Sequence, residues 1–166
     1  MSAGAVYGNP TLFTESVSAV TATNTVALGT MRWEGGNQYR YVYANVAAVI
    51  VPGYFADYIS GGSGYSITNV ITTVGDSVAG VVQNTTMTTG TYGWLMIKGL
   101  AKINTGANSA LSANRKIVVL ASGTVGDFIA NQAATGVSGI LGQMTIGRTI
   151  TSSTASGLSI LCYVSC

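Results

Sequence analysis

Read along the chain, the apolar residues fall in short runs with a period near two, separated by Gly, Asn and Ser, which predicts strands joined by turns. The first clear run is VALGTMRW, Val26 to Trp33, closed by Glu34-Gly35-Gly36-Asn37 and followed at once by QYRYVYA from Gln38. This pair predicts a hairpin. In its second arm the period of two puts Tyr39, Tyr41 and Tyr43 on one face and Arg40 and Val42 on the other. Residues Asn45 to Val51 fit either a strand or a helical turn, and Pro52-Gly53 ends them in both cases. Further strands are expected in YFADYIS, in SITNVITTV (Ser66 to Val74) after the GGSG turn at 61 to 64, and from Val78 to Gln83. WLMIKGLAKI follows, with Trp94, Met96 and Lys98 expected to share a face, and then RKIVVLA from Arg115, GILGQMTIG from Gly139 and GLSILCYV from Gly157.

Eight to ten strands result, with no long amphipathic helix; ANSALSANR, Ala107 to Arg115, is at most a helical turn in a loop. The expected fold is all-β, a compact barrel-like or sandwich domain over 26–166. Residues 1–25, small, polar and weakly periodic, are read as an extended N-terminal arm or a first edge element, with a turn at Asn9-Pro10. The 166 residues suit one core of ordinary size.

Charge changes the picture most. Asp, Glu, Lys and Arg make up 7% of the chain and the net charge is +2, whereas an average soluble protein is about 25% charged. Mixed surface charge is what normally keeps domains apart, so much of this surface is expected to be covered by partners. Seven cations with no cluster larger than Arg115-Lys116 leave no basic footprint for nucleic acid. Apolar runs fall far short of the ~18–20 residues a membrane helix needs, so no membrane partner is expected. The first fifteen residues lack a cation ahead of an apolar stretch, as a secretory signal has, which leads to an expectation of synthesis in a host cytoplasm.

The inventory of reactive groups points away from catalysis. Histidine is absent, and with it the commonest general base and transition-metal ligand. The carboxylates Glu15, Glu34, Asp57, Asp76 and Asp127 are far apart in sequence, so any acidic pair would have to be assembled by the fold. Asp76 and Asp127 each follow a Gly and read as turn residues. No catalytic residue, cofactor or metal site is expected. Cys162 and Cys166 are four apart, roughly 13 Å in an extended strand, too far for a disulfide unless the tail turns. The aromatics leave two readings open. Tyr39, Tyr41, Tyr43, Tyr92 and Trp94 are either core or interface anchors. Arg32-Trp33 and Arg40-Tyr41 place together the residue types that carry most contact energy, so Arg32, Trp33, Tyr39, Arg40, Tyr41, Tyr92 and Trp94 are the candidate interface.

Three segments, LGTMRWEGGNQYRYVYAN (28 to 45), AGVVQNTTMTTGTYGWLMIKGLAKI (79 to 103) and SGTVGDF (122 to 128), together resemble the capsid decoration, or cement, proteins of tailed bacteriophages. The matching positions are Gly36, Tyr39, Arg40, Tyr41 and Val42, then Gly80, Val81, Gln83, Tyr92, Gly93, Trp94 and Gly99. The resemblance implies a β-barrel-like domain, a homotrimer, and docking on the exterior of a virion capsid with the major capsid protein as partner. Two other classes compete: a receptor- or glycan-binding β-module such as a head-fibre tip or adhesin domain, and a tail-tube or shell subunit. The β-dominated reading is checked by far-ultraviolet circular dichroism. A helix content above about a quarter, near the base rate for globular proteins, would contradict it.

Overall fold

The computed structural model describes residue 13 and residues 15–46, 49–59, 64–69, 78–104, 116–118, 145–149 and 159–166, with backbone only for 116–118, 145–149 and 159–161. Ten strands are present: β1 (Val20–Thr21), β2 (Met31–Glu34), β3 (Asn37–Ala44), β4 (Phe55–Tyr58), β5 (Ser66–Thr68), β6 (Val78–Val81), β7 (Thr91–Asn104), β8 (Lys116–Val118), β9 (Thr145–Thr149) and β10 (Ser159–Ser165). The described residues contain no helix. The fold is all-β.

Five strands close on themselves. β3 pairs with β5, β5 with β4, β4 with β6 and β6 with β7, and β7 returns to β3 over seven residue pairs from Gln38↔Lys98 to Ala44↔Thr91. The β3–β5 pairing is parallel and the other four are antiparallel. Closure pairs both sides of each ring strand. Beyond the ring, β2 flanks β3, β1 pairs with β7, and β10, β9 and β8 extend the sheet outward from the second half of β7.

The expected hairpin is β2–β3, with Glu34 opposite Asn37 and a two-residue loop of Gly35 (φ 59°) and Gly36 (φ 82°). Positive φ at both central residues gives the turn whose twist matches that of the paired strands, and only glycine adopts it freely at both. The preceding strand is shorter than the run Val26 to Trp33 suggested. Gly29 (φ 83°) and the turn in which Thr30 N–H donates to Ala27 C=O delay its start to Met31. Asn45 to Val51 is neither helix nor strand where it is described; Ile50 alone makes a bridge, with Met87. The expected strand beyond Asn69, the turn at 107–115 and the start of the run at Gly139 lie outside the described residues, as do Asp76, Asp127 and 122–128.

Two apolar clusters lie on opposite faces of the ring strands. All five ring strands contribute to one: Val42 and Ala44 of β3, Ala56 of β4, Ile67 of β5, Ala79 of β6 and Leu95 of β7, joined by Ile50, Val82 and Met87. This cluster fills the barrel. The other is built on the outer face from Tyr39 and Tyr41 of β3, Phe55 of β4, Val78 and Val81 of β6, and Trp94 and Met96 of β7, together with Cys162 and Val164 of β10. Phe13, Val17, Val26 and Leu28 pack against it. Three contacts hold described residues of the stretch read as an arm or first edge element on the domain. Phe13 meets the Trp94 ring edge-on at 5.3 Å, β1 pairs with Tyr92 and Gly93, and the Thr25 hydroxyl lies 3.0 Å from the Tyr41 hydroxyl.

β7 takes part in both the ring and the extension because of a bulge. Gln38 faces Lys98 while Tyr39 faces Met96, so Ile97 is an extra residue and the alternation of faces inverts there. Trp94 and Met96 before the bulge, and Ala101 and Ile103 after it, consequently join the same cluster. This corrects the expectation that Lys98 shares a face with Trp94 and Met96: Lys98, Leu100 and Lys102 are exposed. Side chains complete the pairing of the outer half of β7. The Gln83 amide accepts from Lys102 N–H and donates to Lys102 C=O, both at 3.1 Å, and Asn37 Oδ1 accepts from Leu100 N–H at 3.0 Å.

Leu95 is fully buried inside the barrel. Leu95→Ala is expected to lower stability by about 2–5 kcal/mol, the transfer loss plus a cavity that a closed ring cannot collapse. Urea unfolding, read as a shifted midpoint at unchanged slope, measures it.

Candidate functional site: an aromatic surface patch beside the hairpin

The structure sorts the seven candidate interface residues by face. Tyr39, Tyr41 and Trp94 are core residues of this chain, at 6%, 1% and 4% exposure, so they are not surface anchors. Their rings build the outer cluster: Tyr41 meets Trp94 edge-on at 5.1 Å and stacks near Tyr92 at 6.3 Å. Tyr92 is half-buried, with Tyr43 at 5.0 Å on its other side. The two readings left open for the tyrosine stripe resolve to core for Tyr39 and Tyr41, because β10 and the side chains of Phe13, Val17, Val26 and Leu28 pack over the outer face on which they lie.

Arg32 and Trp33, adjacent in sequence, point to opposite sides of β2. Arg32 is folded back onto the domain. Its guanidinium donates to the Glu15 carbonyl at 2.5 Å, pairs with the Glu34 carboxylate, and lies over the rings of Phe13 (5.2 Å) and Trp94 (5.7 Å). Those contacts pin Phe13 and Glu15 to the barrel and leave little of Arg32 for a partner. Trp33 is 63% exposed.

Around Trp33 the structure assembles a patch that the sequence does not display as one. Met31, two residues back on the same face of β2, is also open at 52%. Its sulfur receives contacts from Gln38 Nε2 (3.4 Å) and Arg40 Nη2 (3.7 Å). Arg40 continues the patch, donating through Nη1 to the Tyr58 hydroxyl at 2.6 Å with its guanidinium over the Tyr65 ring at 5.6 Å. Tyr65 is 41% exposed and meets Tyr58 edge-on at 6.1 Å. Trp33, Met31, Arg40 and Tyr65 therefore form one continuous surface drawn from β2, β3 and the approach to β5. Trp, Tyr, Met and Arg are the types enriched at the buried centres of protein interfaces.

Two of these residues were missed from the sequence. Alternation along VALGTMRW could have paired Met31 with Trp33 and set Arg32 apart. Tyr65 carried no local signal: it reaches the patch because it sits at φ 63° with its ring beside Gly29, where a Cβ would strike it. A non-glycine residue at positive φ is costly and persists when the surroundings fix it.

The reactive groups elsewhere are held quiet. Cys162 and Cys166 are free thiols at the end of β10, which remains extended through Ser165 and so keeps them apart. Burial pushes both up to about 12, aided at Cys162 by the neighbouring Cys166 and at Cys166 by the charge of Asp57. Among the described residues no three His, Cys, Asp or Glu side chains come together.

The sequence matches no protein-family model and no curated protein.

Two measurements follow from this geometry. Trp33→Ala removes a ring that faces solvent, so unfolding stability is expected to stay within about 0.5 kcal/mol of the parent; a larger loss would place Trp33 in the fold and not on a surface. The thiols are expected to be inert to a thiol reagent in the native protein near pH 8 and to react fully, two per chain, once it is unfolded. Their folded values lie above the ordinary value of 9.0, so the fold favours the neutral thiols. That contribution is complete below pH 9 and is lost as pH rises towards 12. The Cys162→Ala/Cys166→Ala variant should accordingly show a shallower fall in stability across that window.

Proposed function

We propose that the chain is a structural virion protein that decorates the outside of a bacteriophage capsid and stabilises it by protein–protein packing, as a homotrimer. The observation that supports this reading best is the open Trp33–Met31–Arg40–Tyr65 patch on a closed barrel, in a chain only 7% charged. A rigid scaffold presenting aromatic anchors binds at little conformational cost, and few surface charges stand in the way of close packing. The resemblance of segments 28 to 45 and 79 to 103 to decoration proteins supplies the capsid setting. A protein that binds only the assembled shell stabilises it by mass action, and contacts repeated over a lattice need only modest strength each. The reading involves no catalysis and no cofactor.

Light scattering of the purified chain is expected to give three times the 16.9 kDa chain mass. Added to preformed capsids that lack it, the protein should bind and raise their resistance to heat. Trp33→Ala with Met31→Ala should weaken trimerisation or capsid binding by about tenfold or more, as loss of an anchor does, while leaving the fold intact. A stable monomer, or particles of unchanged stability, would contradict the proposal. The receptor- or glycan-binding alternative draws on the same exposed Trp33 as a stacking platform. Retention on a glycan array that is lost in Trp33→Ala would favour it instead.

A further inference from the structure

The outer half of β7, with β10, β9 and β8, forms a second surface next to the first, since Trp33, Gln38 and Lys98 stand in one cross-strand row. Its inner face is spent on the core through Ala101, Ile103, Cys162 and Val164. On its outer face Leu100 is 46% and Tyr163 44% exposed, and they stand directly opposite each other in the β7–β10 register. Lys98 and Lys102, also exposed, flank Leu100 two residues away on either side. The same cross-strand row continues outward, Arg148 of β9 opposite Tyr163 and Lys116 of β8 opposite Arg148.

Four of the chain's seven cations thus fall on one face of four adjacent strands, around a Leu–Tyr pair. None of the five carboxylates belongs to these strands. In sequence the four are spread over 51 positions and form no basic run.

We propose that this face docks an acidic protein surface, with Leu100 and Tyr163 at the centre of the contact and the cations pairing with carboxylates around it. Successive strands lie about 4.8 Å apart and alternate residues about 6.6 Å apart, which spreads the charges over roughly 13–14 Å in each direction. An apolar centre with a polar rim at that spacing is the anatomy of a protein interface. Nucleic acid is the weaker fit. Four cations neutralise few phosphates, giving a salt slope on the order of −3 on a single strand, and a single aromatic offers no run of stacking platforms. The proposal rests on the capsid reading only for the identity of the neighbour, a shell subunit with an acidic outer face; the chemistry of the face does not depend on it.

The test is binding of the full chain to immobilised polyglutamate and, separately, to oligothymidylate of matched charge, between about 50 and 200 mM salt. Polyglutamate should bind more tightly than oligothymidylate and weaken with salt. Lys98→Gln/Lys102→Gln should reduce its binding about tenfold, and Tyr163→Ala should reduce it further without altering the salt dependence. Ala22→Glu/Asn24→Glu makes the same change in net charge at exposed positions elsewhere and should have a much smaller effect. Equal loss in that control, tighter binding to oligothymidylate, or no binding to polyglutamate would each overturn the proposal. The same variants added to capsids separate it from the capsid reading. A chain that ignores polyglutamate yet decorates capsids overturns this face alone, and one that binds polyglutamate through the face yet ignores capsids overturns the capsid reading alone.

Discussion

The structure depends on one strand being in two places. β7 runs for fourteen residues, and its first half must close a barrel against β3 while its second half supports the sheet that continues into β10. A regular strand with this sequence would turn Ala101 and Ile103 away from the cluster that holds Trp94 and Met96. The extra residue at Ile97 inverts the alternation, and Gly99, at φ 129° with Asn37 pressed against it, lets the strand bend immediately afterwards. Bulges of this kind raise local twist and redirect side chains. Here the redirection turns Lys98, Leu100 and Lys102 outward.

The same inversion turns Lys98 to the face of Gln38 and Trp33, so the two surfaces adjoin. Before the bulge Gly93 to Ile97 of β7 are buried, so Trp94 is unavailable to a partner and serves in the wall on which Phe13, Val17, Val26 and Leu28 pack. After it, one face alone is buried, and the other is free to carry charge. The chain uses its few charges accordingly. Through Phe13 and the Glu15 carbonyl Arg32 holds the N-terminal segment beside Trp94, Arg40 joins Met31 to Tyr65, and the remaining described cations collect on the extension. With so little charge elsewhere, the two patches differ in kind, one aromatic and the other cationic around an apolar pair.

The local pattern by itself determined the strand-rich fold, the Gly35-Gly36 hairpin and the separation of the two thiols. Each follows from the period of two, from glycine's access to positive φ, or from the length of an extended chain. Those constraints act over a few residues and survive any tertiary arrangement. Closure of the ring, the bulge at Ile97 and the parity of β7 were decided only by the tertiary structure, because the alternation of a strand states which residues share a face and never which face is covered. Tyr39, Tyr41 and Trp94 looked the same in sequence whether core or surface, and a sheet that buried one side would have left them as anchors. Closing the barrel covered the inner side, and β10 with Phe13, Val17, Val26 and Leu28 covered the outer side on which these rings lie. The patch around Trp33 and the cationic face have the same origin: Tyr65 reaches Arg40 across the parallel β3–β5 pairing, and Lys116 and Arg148 join Lys98 and Lys102 through register between strands far apart in the chain.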